Sequence, residues 1–167
     1  QRIAASPQLS AIYDPLLQGV DDEDRLAFLA SGLWSCLDHY GPPDQMTARL
    51  DQLPHPYDQI IVTYIFEAEM LNGSVHQFFF NSSGALAPDV ALALQAMDLP
   101  RHSAAVERGM ALFPTPYPRD TQKRRGFMAN KGAHFDNLLY ELTGDVDDGE
   151  MNRAMIRLAR DANILPR

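Results

Sequence analysis

The chain has 167 residues, a formal net charge of -8, 46% hydrophobic residues and 22% charged ones. These are the proportions of one ordinary globular domain with a buried core, and not those of a disordered or coiled-coil chain. The acidic balance disfavours extensive direct contact with DNA or RNA but admits a basic partner. A lone cysteine, Cys36, allows neither an intramolecular disulfide nor a multi-cysteine metal site. With no apolar run long enough for a bilayer and no basic-then-apolar start, the expectation is a cytoplasmic protein.

In chain order, nearly every segment between prolines and glycines carries apolar residues three and four apart, the spacing of an amphipathic helix. Ser6 and Pro7 open a first helix that Pro15 must end or bend. The next is "DDEDRLAFLASGLWSCLDHYG", with acids complementing the dipole at its start and Gly41 at its end. Its buried stripe is predicted as Leu26, Leu29, Leu33, Leu37 and Tyr40, with Trp34 alongside and Cys36 as a small buried residue. A short helix through Met46 and Leu50 follows, and Pro54 and Pro56 turn the chain. "YDQIIVTYIFEAEMLNG" is apolar nearly all round, which places it at the centre of the core. Its β-branched content suits a strand as well, but its length and its Glu67, Glu69 and Met70 favour helix.

Asn72 and Gly73 end that central helix, and Ser74 with Gln77 three residues later reads as a capping box that starts another. At about 100° per residue, Phe78, Phe79 and Phe80 sweep about 200°, so the rings cannot share one face. The short helix therefore packs on two sides or leaves one ring exposed. Further helices start at Pro88, at Ser103 (with a stripe of Val106, Gly109, Met110 and Phe113) and at Thr121. The last of these runs toward Gly144 through Met128, Phe135, Leu138, Leu139 and Leu142, with Gly126 and Gly132 as candidate breaks. The final helix turns Met151, Met155, Leu158 and Ala162 inward and presents Arg153, Arg157 and Arg160 elsewhere. The fold class is all-α: one multi-helix bundle over residues 1–167 around a central apolar helix.

Candidate chemistry is sparse. Glu67, Glu69 and His76 form one approximate metal set, and His134, Asp136 and Glu141 another, neither with a recognised spacing. Cys36 and His39 lie near each other only as neighbours on a helix flank. No phosphate loop, nucleophile elbow or dinucleotide fingerprint is present, so no catalytic residue, metal or cofactor is assigned. The acid runs Asp21, Asp22, Glu23, Asp24 and Asp145, Asp147, Asp148, Glu150 sit at helix starts, where they complement the dipole or form a phosphate-like surface for a partner. Asp44, Asp51 and Asp58 recur at intervals of seven, but Pro54 and Pro56 interrupt any common helix. Arg119, Lys123, Arg124 and Arg125 put positive charge at a helix start, where the dipole disfavours it. Such a break marks either an anion or acidic-partner contact or pairing with the acid runs.

"EMLNGSVHQFFFNSSG" resembles the signature of the DNA mimic protein 19 family on Glu69, Gly73, Gln77, Phe78, Phe79, Asn81 and Gly84, and the likeness extends over about residues 57–114. Ser74 stands where the family pattern often has a second glycine. The resemblance implies an all-helical bacterial protein, and the founding member is described as an acidic mimic that keeps a DNA-binding regulator from its operator. The motif itself explains fold: Gln77 and Asn81 tie side chains to backbone at the turns while Phe78 and Phe79 fill the core. The expectation is a non-enzymatic interaction domain, monomer or homodimer, whose acid runs meet a basic DNA-binding protein. A helical enzyme or ligand-binding domain with a pocket near the central helix and "HQFFFN", or an interaction module presenting an exposed phenylalanine, are the alternatives.

Overall fold

A computed structural model describes residues 19–38, 40–146 and 148–165, the Asp148 side chain excepted. The segment with Ser6, Pro7 and Pro15, and also His39 and Asp147, lie outside these. Among the described residues there are nine α-helices and no strands: α1 Asp22–Leu37, α2 Pro43–Leu50, α3 Tyr57–Asn72, α4 Val75–Phe80, α5 Ala87–Ala96, α6 Pro100–Ala111, α7 Thr121–Lys131, α8 Ala133–Glu141 and α9 Asp148–Asp161. Short 3-10 turns at Ser82–Leu86 and Leu142–Asp145 join α4 to α5 and α8 to α9.

The sequence places α3 at the centre, and it lies there, packed against α1, α4, α5 and α9. Ile60, Ile61, Val62, Ile65 and Phe66 are buried around its circumference, which is why the helix is apolar nearly all round. A contiguous cluster of buried side chains links it to Leu26 of α1, Leu94 of α5, Phe135 of α8 and Met155 of α9.

α1 begins as its acids dictate. The Asp21 side chain accepts the Asp24 N–H at 2.9 Å, and three more acids fill the first turn. It ends earlier than Gly41, because Asp38 adopts a left-handed conformation with φ 53°. That turn takes Tyr40 off the helical stripe, and the ring is 87% exposed instead of buried. Leu26, Ala30 and Leu37 form the buried face, with Leu29, Leu33 and Trp34 packed at its edge. Cys36 points to solvent, contrary to its expected burial, and its thiol donates to the Gly32 carbonyl one turn back.

α6 starts at Pro100 and not at Ser103, whose hydroxyl donates to the Ala91 carbonyl of α5 at 2.9 Å and fastens the α5–α6 hairpin. The segment after Thr121 breaks at Gly132, with φ 70°, while Gly126 stays inside α7. In α9, Met151, Ala154, Met155 and Ala159 face the core. Leu158 is half-buried and Ala162 lies beyond the helix, exposed.

Gly109 shows how closely the helices approach. A Cβ at this position would stand 2.3 Å from Cε2 of Phe79, a ring with no exposed surface. Gly109→Ala therefore forces α6 away from Phe79. Overpacking of this kind costs roughly 1–3 kcal/mol, so chemical denaturation is expected to show a lowered midpoint, and an unchanged midpoint contradicts the packing.

Candidate functional site

The residues of "NGSVHQFFFNSSG" converge on one end of α3. Ser74 caps α4 by accepting the Gln77 N–H at 3.2 Å. The second half of the predicted capping box is replaced: the Gln77 side-chain amide donates to Glu69 Oε2 at 3.0 Å. Asn81 Nδ2 donates to the same oxygen at 3.0 Å and Ser83 Oγ to Oε1 at 2.5 Å. Glu69 is 8% exposed, so a carboxylate on the central helix organises the entry and the exit of α4 through three neutral donors. Phe78 and Phe79 have no exposed surface and pack edge to face at 5.2 Å, Phe78 also against Phe66 at 4.9 Å. Phe80, swept to the opposite side, is 41% exposed.

The other half of the clamp is Arg124, a residue with no exposed surface. Its Nε donates to the Phe79 carbonyl at 2.9 Å and Nη2 to the Asn81 carbonyl at 2.6 Å, while Nη1 reaches the carbonyls of Pro118, at 3.3 Å, and Arg119. Gly84 makes room for this: a Cβ there would lie 2.8 Å from the Phe78 carbonyl oxygen and 3.0 Å from Arg124 Nε. Burial lowers the Arg124 pKa from its ordinary value, an effect that Tyr117 and Asp120 oppose. Burial likewise raises the Tyr117 phenol well above the usual tyrosine value, against the pull of Arg124 and Arg119, and its O–H donates to the Gly84 carbonyl at 2.7 Å.

The positive run therefore pairs with neither acid run. Arg119 bonds the Ala85 carbonyl at 2.7 Å and Asp89 at 2.5 Å. Arg125 donates to the Phe80 carbonyl at 2.9 Å and lies 4.4 Å over the Phe80 ring. Lys123 remains at the surface, its backbone N–H capped by Asp120 at 2.8 Å. Sequence reasoning took this run for a surface feature and missed Arg124 as its pivot. The signal was available: Arg124 and Met128 are one turn apart, and Met128 was already on the buried stripe.

The two candidate metal sets exchange members. His76 Nε2 lies 3.1 Å from Asp136 Oδ1, and its ring stacks on Tyr140 at 4.5 Å and on Phe80 at 6.0 Å. Glu69 is held by amides and a hydroxyl. No cluster of three or more metal-ligating side chains occurs among the described residues.

The acid runs lie at opposite ends of α9. At the C-terminal end, Asp22 pairs with Arg160 and, at 3.8 Å, with Arg25, while Asp21, Glu23 and Asp24 are exposed. At the other end Asp145 pairs with Arg108 and Glu150 lies 3.8 Å from buried His102. Asp147 and the Asp148 side chain are outside the described residues. Glu150, Arg153, Arg157 and Arg160 share one helical face, about 15 Å long at 1.5 Å per residue, so arginines separate the carboxylates. Asp51 and Asp58, discounted because of the intervening prolines, line one groove of about 380 Å³ together with Asp89, the turn at 52–56 bringing the end of α2 near the start of α3. Asp44 is not among its lining residues.

Two depressions flank the Gln77–Asn81 ridge. One, of about 530 Å³, is walled by Trp34 and Tyr40 with Glu69, Gln77, Asn81 and Arg125 around it. The other, of about 390 Å³, has His76, Phe80 and Tyr140 on its wall.

Fold and site thus define an all-helical domain in which a buried Glu69–Arg124 framework holds a short aromatic helix. Consistent with that framework, residues 51–161 match the family model described as DMP19-like protein, and the chain belongs to this family. The match runs well beyond residues 57–114 and takes in Arg124 and Asp136. No curated protein and no solved structure matches the chain.

Arg124→Lys keeps the charge but loses the planar fork, leaving buried carbonyls unpaired. The expected cost is on the order of 2–4 kcal/mol in urea unfolding, against less than about 1 kcal/mol for Arg125→Gln at the partly exposed neighbour. Equal costs contradict the assignment of Arg124 as the clamp.

Proposed function

We propose that this protein is a non-enzymatic interaction domain whose acidic exterior engages a basic DNA-binding protein, in the manner its DNA-mimic relatives suggest. The observation that supports this reading is the inward turn of the 119–125 run. Arg124 is fully buried, Arg119 is bound to Asp89 and a carbonyl, and Arg125 is bound to Phe80. Arg124 is thereby withdrawn from solvent and Arg119 is neutralised by Asp89, while Lys123 stays exposed and Arg125 partly so, and the run presents less positive charge at the surface than its linear order suggests.

Asp21, Glu23 and Asp24 are the primary contact in this reading, because they are exposed. Asp145 and Glu150 contribute less, being offset by Arg108 and the arginines of α9. Asp147 and Asp148 belong to that run by sequence. In the groove that also holds Asp89, which is paired with Arg119, Asp51 and Asp58 add further negative charge. Attraction across such a surface accelerates encounter and decays over about 8–10 Å at physiological salt.

Affinity capture from the native organism's lysate, at low and at high salt, tests this reading. The expected retained species is a basic DNA-binding protein that elutes with salt and is displaced by duplex DNA. Glu23→Lys with Asp24→Lys, which spares the Asp21 cap, is expected to weaken the interaction about tenfold at low salt and little at high salt. A retained partner indifferent to salt and DNA, or no basic partner at all, overturns the reading.

A further inference from the structure

The groove between the α2–α3 turn and α5 joins an apolar wall to carboxylates that the protein itself leaves uncompensated. Leu53, Val62 and Leu92 supply the wall, and Asp51 and Asp58 supply the charge. Leu92 is 66% exposed, although its neighbours Ala91 and Ala93 on α5 are buried. A volume of about 380 Å³ is enough for one or two side chains of a bound segment.

The charge of this groove is set against local rules. Asp51 closes α2, the end at which the helix dipole disfavours a negative charge. The base in that last turn, Arg49, reaches instead to the Asp38 carboxylate at 3.7 Å and the Cys36 carbonyl at 3.3 Å. Among the described residues no ion pair includes Asp51. Asp58 Oδ1 is buried without a hydrogen-bond donor, since His55 Nδ1 stands 3.6 Å away, while 36% of the Asp58 side chain stays exposed. Asp89 differs from both, because Arg119 takes its charge. Two carboxylates beside exposed hydrocarbon, with no cation of their own, select an occupant that is both basic and apolar. A purely charged segment leaves Leu92 in water, and a purely apolar one desolvates both carboxylates without pairing them.

We infer that this groove docks a basic amphipathic helix of a protein partner, which lays an apolar side chain against Leu92 and sets lysine or arginine against Asp51 and Asp58. A helix brings both kinds of side chain to one side at spacings of three and four residues, as the groove requires. The inference rests on the reading above for the basic character of the partner, and adds an apolar contact that salt does not screen.

The probe is a fluorescein-labelled, capped peptide of four helical turns that carries leucine on one face and lysine on the other, titrated by anisotropy against the intact protein. A second peptide replaces each leucine by serine and keeps the charge. The leucine–lysine peptide is expected to bind saturably, and the serine–lysine peptide at least about tenfold more weakly. Leu92→Gln, at a residue too exposed to govern folding, is expected to weaken the first peptide severalfold at low and at high salt, with the unfolding midpoint unchanged. Asp51→Asn with Asp58→Asn is expected to weaken it about tenfold at low salt and less at high salt. Glu107→Gln with Glu141→Gln removes the same charge from exposed positions outside the groove and is expected to change affinity less than about twofold. Equal binding of the two peptides, an unchanged affinity in Leu92→Gln, or equal losses in the two double variants overturns the proposal. So does a dimer in sedimentation that Leu92→Gln converts to a monomer, since the groove then belongs to a second copy of the chain. Because the peptide is supplied, the groove is tested apart from the reading above: lysate capture without groove-dependent peptide binding removes only the groove, and the converse removes only the wider reading.

Discussion

A guanidinium without exposed surface must place its N–H groups on acceptors inside the protein, and the site around α4 depends on how Arg124 does so. Its donors fall on the carbonyls of residues 79 and 81 on one side and 118 and 119 on the other. The end of a six-residue helix is thereby tied to the start of α7. An isolated helix of six residues is not stable in water, since nucleation costs more than so few backbone bonds return. α4 exists because its ends are held from outside and because Phe78 and Phe79 are buried.

Glu69 is the counterpart of Arg124. The carboxylate, on α3, gathers the side chains of Gln77, Asn81 and Ser83; the guanidinium, on α7, gathers the carbonyls of Phe79 and Asn81. Asn81 is common to both, its side chain donating to the anion and its backbone accepting from the cation. The polar residues of the family motif thus satisfy buried groups in pairs, and Gly84 completes the arrangement by leaving space beside Arg124. The same framework fixes the rims of both depressions, since Gln77 and Asn81 line each of them.

Much of this architecture was legible in the sequence. The circumferential apolarity of α3, the Ser74 cap and the angular spread of the three phenylalanines follow from helical geometry alone; of the two outcomes that spread allowed, the structure shows two rings inside and one at the surface. Four features were not legible, each for a physical reason. Tyr40 continued a periodic stripe, but Asp38 entered the left-handed region first, a choice that side-chain hydrophobicity does not encode. Cys36 was assigned by its residue type, whereas its register on α1 faces solvent. Arg124 was read as surface charge because arginine is rarely fully buried, and its acceptors are backbone carbonyls, which carry no residue identity in a sequence. The groove with Asp51, Asp58 and Asp89 escaped similarly, since periodicity along one helix says nothing about residues that a turn brings together.

The functional reading rests on where the positive charge resides, and this is accessible to observation. Hydrogen exchange of arginine side-chain Nε–H groups, followed by nuclear magnetic resonance with and without added phosphate or duplex DNA, measures it for each guanidinium. The account predicts that Arg124 Nε–H exchanges orders of magnitude more slowly than those of exposed Arg153 and Arg157 and is unmoved by either anion. Rapid exchange at Arg124, with a shift on adding phosphate or DNA, would place the run at the surface as an anion site and contradict the account.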